Sequence, residues 1–283
     1  MRTCPYCHSI SDFHFQIALR RFNRCPQCDL IYHDTSTSYD EVISTYRKSY
    51  FNGHAEDQMQ GTRAELFDYI LNQIEANQDI GNLMDVGTGC GLFLLAAQRR
   101  GWKVKGVDPS VSSVQFARDK LGLEVSVGSL QDYRDNSEFD VITFINVLDH
   151  SALPWSEITC ARRLLRSKGL IYLRFPNGYL HTQIYRRADN LGFSDLLSKF
   201  LVFHIYSFTP KHIKRLLHDN GLINITILNS PPSGGDPYGL FPLKIIATFV
   251  KRLIYAIAES TRTLSGGKLF LGSSLEVTAP KPS

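Results

Sequence analysis

The sequence contains no long uncharged apolar run. Its most apolar region, Phe241 to Ala258, is interrupted by Lys244, Lys251 and Arg252, whereas a helix that spans a bilayer needs about 20 nearly uncharged residues. No apolar stretch precedes the first cysteines in MRTCPYCHSI, so no secretory leader is expected and the chain reads as cytoplasmic. A strong charge of one sign is also lacking. The net charge of +4 over 283 residues does not by itself point to nucleic acid. Cysteine is scarce, with six in all, and Cys90 and Cys160 stand alone. A disulfide framework is therefore not expected; in a reducing compartment the other four read as metal ligands. What the chain does have is ordinary: 43% hydrophobic and 20% charged residues, which suits a packed core and a length of one large domain plus a small module.

The four remaining cysteines form two Cys-x-x-Cys pairs, Cys4/Cys7 in CPYC and Cys25/Cys28 in CPQC, with 17 residues between them. Each pair can turn as a tight knuckle that offers two thiolates. Two knuckles complete a tetrahedral four-sulfur site, which suits structural zinc and leaves no open position for catalysis. Between them, FHFQIAL and the run into DLIYH read as short strands. Residues 1–38 are thus expected to form a zinc ribbon too small to hold a core without its metal. His8 and His33 are read as bystanders. Thiol redox chemistry is the rival, but it calls for one such motif at the start of a helix.

Residues 39–80 read as a helical connector: YDEVISTYRKSYF, a polar stretch NGHAEDQMQ, then a helix from about Thr62 to Ala76 with Leu66, Tyr69, Ile70 and Ile74 on one face. From Gly81 to the end, strands and helices alternate as in an open parallel sheet. The first strand, NLMDVG, runs into Gly87-Thr88-Gly89-Cys90-Gly91; a helix from Leu92 to Arg100 follows, then a strand ending at Asp108. Glycines at this turn let the backbone approach a ligand closely, and Asp108 stands where a carboxylate grips a ribose diol.

A dinucleotide fingerprint would place glycine at position 92, which is Leu92. Here the third glycine comes one residue early, and Asp85 precedes the first by two. This D-x-G-x-G-x-G form resembles motif I of the Rossmann-like, class I S-adenosylmethionine methyltransferases, and Asp108, 17 residues after Gly91, resembles their next motif. EFDVITFINVLDHSALP is similar to the family's fourth strand and following loop, with Asp149 in place of the common Glu and His150 retained. HIYSFTPKHIKRLLHDNGL is similar to its H-x-x-x-F-T/S-P segment, with a sixth strand near Leu222–Leu228. The resemblance extends from about Tyr39 to Pro282. It implies an α/β fold, a seven-stranded doubly wound sheet whose last strand is antiparallel. It implies S-adenosyl-L-methionine as cofactor, held by Asp85, Gly87, Thr88, Gly89, Cys90, Gly91, Asp108, Pro109, Ser129, Leu130 and Asn146. Ser129 stands where many members carry an acid; Asp132 could supply the adenine contact instead. A zinc ribbon ahead of a ubiquinone-biosynthesis-like domain also resembles a bacterial group acting in secondary-metabolite, sugar or polysaccharide, and quinone-like metabolism.

Methyl transfer from a sulfonium needs an acceptor held in line and kept dry, with a base only where the acceptor proton is tightly held. Residues after the fourth and fifth strands are the candidates: Asn146, His150, Asn177 and His181. His150 is the first choice for a base or orienting group and His181 the second, with a structural cap as the other reading for each. His204 could be a lid or surface histidine. Two insertions, near 178–207 and 230–268, are expected to cap the substrate pocket. The apolar helix in the second is expected to lie buried against the sheet or cap, with a dimer seam or a membrane-surface contact as alternatives. Residues 155–220 hold eleven Lys/Arg against four Asp/Glu, whereas residues 1–60 hold six against seven. The expected partner is therefore a small molecule, anionic or lipidic, and not nucleic acid, methylated on oxygen, with carbon or nitrogen as the alternatives. An RNA methyltransferase using Arg20, Arg21 and Arg24 on the ribbon, and a binding protein without turnover, are the alternatives.

Overall fold

The computed structural model describes residues 2–17, 20–33, 63–134, 138–198, 200–232 and 244–283. The connector helix and polar stretch expected between 39 and 60 lie outside the described residues, as does the start of the second insertion. Two sheets organise the rest.

The smaller sheet begins with β1 (Arg2–Thr3), β2 (Ile10–Ile17), β3 (Arg20–Arg24) and β4 (Ile31–His33), paired antiparallel in chain order. Its two knuckles are built alike. The amides of Cys4 and Cys25 donate to the carbonyls of Ser9 and Leu30, and those of His8 and Asp29 donate back to Cys4 and Cys25. In both, the residue after the second cysteine is left-handed, with φ of 58° at His8 and 65° at Asp29. A fifth strand joins this sheet from far down the chain: β10 (Tyr206–Ser207) pairs antiparallel with β4, setting Tyr206 opposite Tyr32.

The larger sheet has seven strands in the order β11-β12-β9-β8-β5-β6-β7, namely β5 (Asn82–Val86), β6 (Lys103–Asp108), β7 (Val125–Val127), β8 (Phe139–Ile145), β9 (Leu165–Pro176), β11 (Thr226–Ser230) and β12 (Ser274–Pro280). β5 to β9 are mutually parallel, and β12 runs antiparallel to both β9 and β11. The chain order reverses between β5 and β8, which opens a crevice at their carboxyl ends. The helices are α1 (Ala64–Glu75), α2 (Leu92–Arg99), α3 (Val111–Leu121), α4 (Pro154–Leu164), α5 (Gly178–Asn190), α6 (Ser194–Ser198), α7 (Pro210–Asp219) and α8 (Lys244–Leu264).

Strand alternation divides the core. Leu83, Val141 and Tyr172 meet α1, α2 and α3 through Ile70, Ile74, Leu94 and Val114 on one face. Met84, Ile142 and Leu173 meet α4 and α7 through Ile158, Ile213 and Leu216 on the other. Cys4, Cys25, Cys28 and Tyr32 belong to this second cluster, so the ribbon is continuous with the core of the large domain.

Two expectations need correction. The sixth strand starts at Thr226, not Leu222. Gly221 takes φ 70°, and the amides of Gly221 and Leu222 donate to His218 and Leu217. Leu222 therefore closes α7 as the apolar contact of a Schellman turn, and that is why it reads as apolar. The first insertion also packs on the ribbon: Tyr185 and Phe203 meet Phe15 and Phe22, and the Tyr185 hydroxyl donates to the Gln16 carbonyl at 2.8 Å. Finally, α8 is not buried against the sheet on the side that carries Phe249, Leu253, Ile254 and Ile257, all exposed. It docks at Ala258, whose carbonyl accepts from Asn229 on β11.

Candidate active site

The crevice is lined by the loop after β5. Gly87, Gly89 and Gly91 all have positive φ, which glycine adopts at little cost. At Gly87 a side chain is also excluded by space, since a Cβ would lie 2.5 Å from Val147 in the loop after β8. The Gly87 amide donates to Val107 on β6 at 2.7 Å, so the loop is fixed between its two neighbouring strands.

Asp108 ends β6 and is buried. Its Oδ2 accepts from the Gly89 amide and its Oδ1 from the Ser110 amide, both at 2.8 Å. Burial pushes its carboxyl pKa up, with the two amides opposing. Each oxygen keeps a second lone pair, enough for the two hydroxyls of a ribose. Asp85, wholly buried, accepts from the Thr143 hydroxyl at 2.6 Å, and burial raises its pKa to about 7. Cys90 is buried and its thiol pKa is raised by burial and by Asp108, which suits a packing residue. Pro109 leads into Ser110, whose side chain caps α3 by accepting from the Ser113 amide. Ser129 donates through its amide and hydroxyl to Asp132 Oδ2 at 3.0 and 2.8 Å. Asp132 is thus turned back on the one-turn helix Leu130–Asp132, and Leu130 faces the core.

Asn146, after β8, has φ 56°. It is held by a residue the sequence reading missed. Arg174 on β9 is buried; its Nη1 donates to Asn146 Oδ1 at 2.7 Å, its Nε to Ser230 and its Nη2 to the Pro231 carbonyl. The signal was a single cation inside the apolar strand LIYLRFP.

His150 lies just beyond, in the turn after β8. Its ring centroid is 3.7 Å from that of His204, and both histidines face the buried Asp149. His204 thus stands beside His150 from a position read as a lid or surface histidine. His181 and Asn177 are both engaged at the start of α5. His181 is buried and its Nε2 donates to the Ser273 carbonyl at 2.9 Å. Asn177 caps α5 and donates to Phe270 and Gly272. Both fasten α5 to the lead-in of β12.

At the ribbon, the four cysteine sulfurs lie within 4.8 Å of one another. Cys4 and Cys28 are 3.6 Å apart and Cys7 and Cys25 are 3.4 Å apart, far beyond a disulfide bond and close to the edge of about 3.8 Å in a tetrahedral zinc–sulfur site. The residues fit the ion. Neither His8 nor His33 is part of the cluster.

A family model described as a methyltransferase domain matches residues 53–227. The chain belongs to the class I S-adenosylmethionine methyltransferases. It is 33% identical over 109 residues to a ubiquinone biosynthesis O-methyltransferase of Alkalilimnicola ehrlichii, covering 35% of this chain and 44% of that one. It is likewise 33% identical over 116 residues to the enzyme of that name from Dechloromonas aromatica, covering 36% and 49%. The chain therefore spans about half the length of the curated relatives it matches. Among solved structures, an S-adenosylmethionine-dependent methyltransferase of Thermotoga maritima superposes with TM-score 0.54 at 14% identity, covering 85% of this chain and 99% of that one. Phosphoethanolamine N-methyltransferase 2 of Haemonchus contortus gives 0.57 at 14%, covering 89% and 62%. These last two likenesses concern the fold. No described helix is long and apolar enough to cross a membrane.

Proposed function

We propose that the chain transfers the methyl group of S-adenosylmethionine to a hydroxyl of a small acceptor. The observation that carries this reading is the placement of the Asp108 carboxylate between the Gly89 and Ser110 amides, at the carboxyl end of β6 beside β5. The bound cofactor would supply an activated methyl on sulfur. Asp108 would hold the ribose, and the glycine loop would bring backbone against the rest of the nucleoside. Arg174, by fixing Asn146, would keep the loop after β8 in one shape so that the acceptor is aligned. His150 would meet the acceptor hydroxyl. The names of the matched relatives favour oxygen as the acceptor atom. The zinc site would be structural. An RNA acceptor is less favoured because two ribbon arginines are engaged internally: Arg20 donates to the Phe203 carbonyl and Arg24 pairs with Asp29.

The test is formation of S-adenosylhomocysteine with a panel of hydroxylated acceptors, beside calorimetry of cofactor binding. His150→Ala should slow transfer by roughly 10²–10⁴-fold and leave cofactor affinity nearly intact. Full activity in a stable variant would remove His150 from the mechanism. Tighter binding of NAD than of S-adenosylmethionine would overturn the cofactor assignment.

A further inference from the structure

The helix α8 is mounted by its polar side. Glu259 accepts from Asn229 of β11 at 2.8 Å and from Arg262 at 2.9 Å. Asn229 also donates to the Ala258 carbonyl at 3.1 Å. One turn and a half earlier, Arg252 reaches Glu65 of α1 at 3.1 Å. These contacts fix the rotation of the helix about its own axis. The other side carries Phe249, Leu253, Ile257 and Leu264, whose spacing of four, four and seven places them in one stripe. Ile254 stands at its flank, and all five side chains are exposed. A helix that packs on a core does the reverse, turning its apolar stripe in and its charges out.

We propose that α8 lies on an anionic membrane surface, with this stripe at the boundary between headgroups and acyl chains. Charge selects that occupant. Residues 244–268 carry Lys244, Lys251, Arg252, Arg262 and Lys268 against the single acid Glu259. An apolar stripe on a cation-rich helix is the pattern of a segment that lies in the interface plane, and cations close to the surface are drawn to acidic headgroups. Extent selects it too. A stable protein interface takes about 20–30 residues a side, whereas the stripe offers five exposed apolar residues. A second copy seated there by two-fold symmetry would set the same cation-rich helix against itself. The helix rests on the bilayer and does not span it, since no described helix is long and apolar enough to cross.

The attachment is at the margin of the fold. Asn229 belongs to β11, the edge strand of the larger sheet, and three strands lie between it and β5. A surface held by the stripe therefore leaves the crevice at β5 and β6 uncovered. Membrane contact at this edge depends neither on the identity of the acceptor nor on the chain being a hydroxyl methyltransferase.

The experiment is co-sedimentation of the full chain with vesicles of phosphatidylcholine alone and of phosphatidylcholine mixed with phosphatidylglycerol. The protein should bind the mixed vesicles about tenfold more tightly than the neutral ones, and added salt should narrow the difference. Leu253→Asp combined with Ile257→Asp should weaken binding to the mixed vesicles by about tenfold or more. The melting temperature should stay, because both side chains are exposed. Arg252→Gln combined with Lys268→Gln should weaken binding to the mixed vesicles and leave binding to the neutral ones as it was. Failure of the wild-type protein, which requires no variant to fold, to sediment with the mixed vesicles overturns the proposal. Equal binding by the Leu253 and Ile257 double variant overturns it too. A dimer in light scattering that this double variant converts to a monomer would assign the stripe to a second copy, again overturning the membrane assignment.

Discussion

Tyr206 stands directly opposite Tyr32 as an antiparallel partner across the seam between the ribbon and the large domain. The pairing is reinforced nearby. Thr209 donates its hydroxyl to the Asp29 carbonyl at 3.2 Å, His212 donates to the Cys28 carbonyl at 3.2 Å, and Tyr6 donates to Asp219 at 2.6 Å. The second cysteine knuckle and the start of α7 are thus one unit, so loss of an ion held by the four cysteines would be expected to reach the site through β10.

Protein prepared without added metal should carry zinc at Cys4, Cys7, Cys25 and Cys28. Cys25→Ser should lower zinc by one equivalent and speed amide hydrogen exchange at Tyr206 and Ser207, because a ribbon of this size lacks a core of its own. Elemental analysis and exchange mass spectrometry check both. Unchanged zinc content would refute the ligand assignment.

Asp108→Ala should weaken S-adenosylmethionine by ten- to hundred-fold, the equivalent of about 1.5–3 kcal/mol for a charged hydrogen-bond partner. Calorimetry reads this directly. An unchanged dissociation constant would mean that Asp108 does not hold the ribose.

At Gly87 the φ of 68° and the 2.5 Å approach to Val147 make alanine costly on two counts. Gly87→Ala should destabilise the fold by about 1–3 kcal/mol and lower cofactor affinity. Adding Val147→Ala should recover part of the loss, since it removes the clash and leaves only the strained φ. Denaturant melts of the single and double variants separate the two contributions; no recovery would show that the contact is not limiting.

Asp85 should make both stability and cofactor binding depend on pH. Its carboxyl pKa is raised from 3.8 to about 7 on burial, so the folded state binds the proton more tightly than the unfolded state. Stability is unaffected by this group below pH 4 and is lost as pH rises through 7. Asp85→Asn should flatten that slope in unfolding curves taken from pH 5 to 8. A cationic cofactor favours the ionised carboxylate, so affinity should rise over the same interval in the native protein and not in the variant. A wild-type affinity independent of pH would show that the cofactor charge does not reach Asp85.

The sequence by itself determined what is local. The two cysteine knuckles are set by residues a few positions apart, the glycine loop by backbone angles that other residues avoid, and Asp108 by its place at the end of a strand. Even the alternation of strands and helices is read from periodicity within each segment. The tertiary structure decided what depends on residues distant along the chain. Asp149 and His204 are separated by a helix, a long strand and the first insertion, and their meeting follows from β10 leaving the large domain to pair with β4. Arg174 looks misplaced inside an apolar strand until Asn146, Ser230 and Pro231 converge to satisfy its guanidinium. The apolar side of α8 reads as core because periodicity registers a stripe and not what covers it. Burial is a property of the packed whole, and local pattern specifies it only where the partner element is also local.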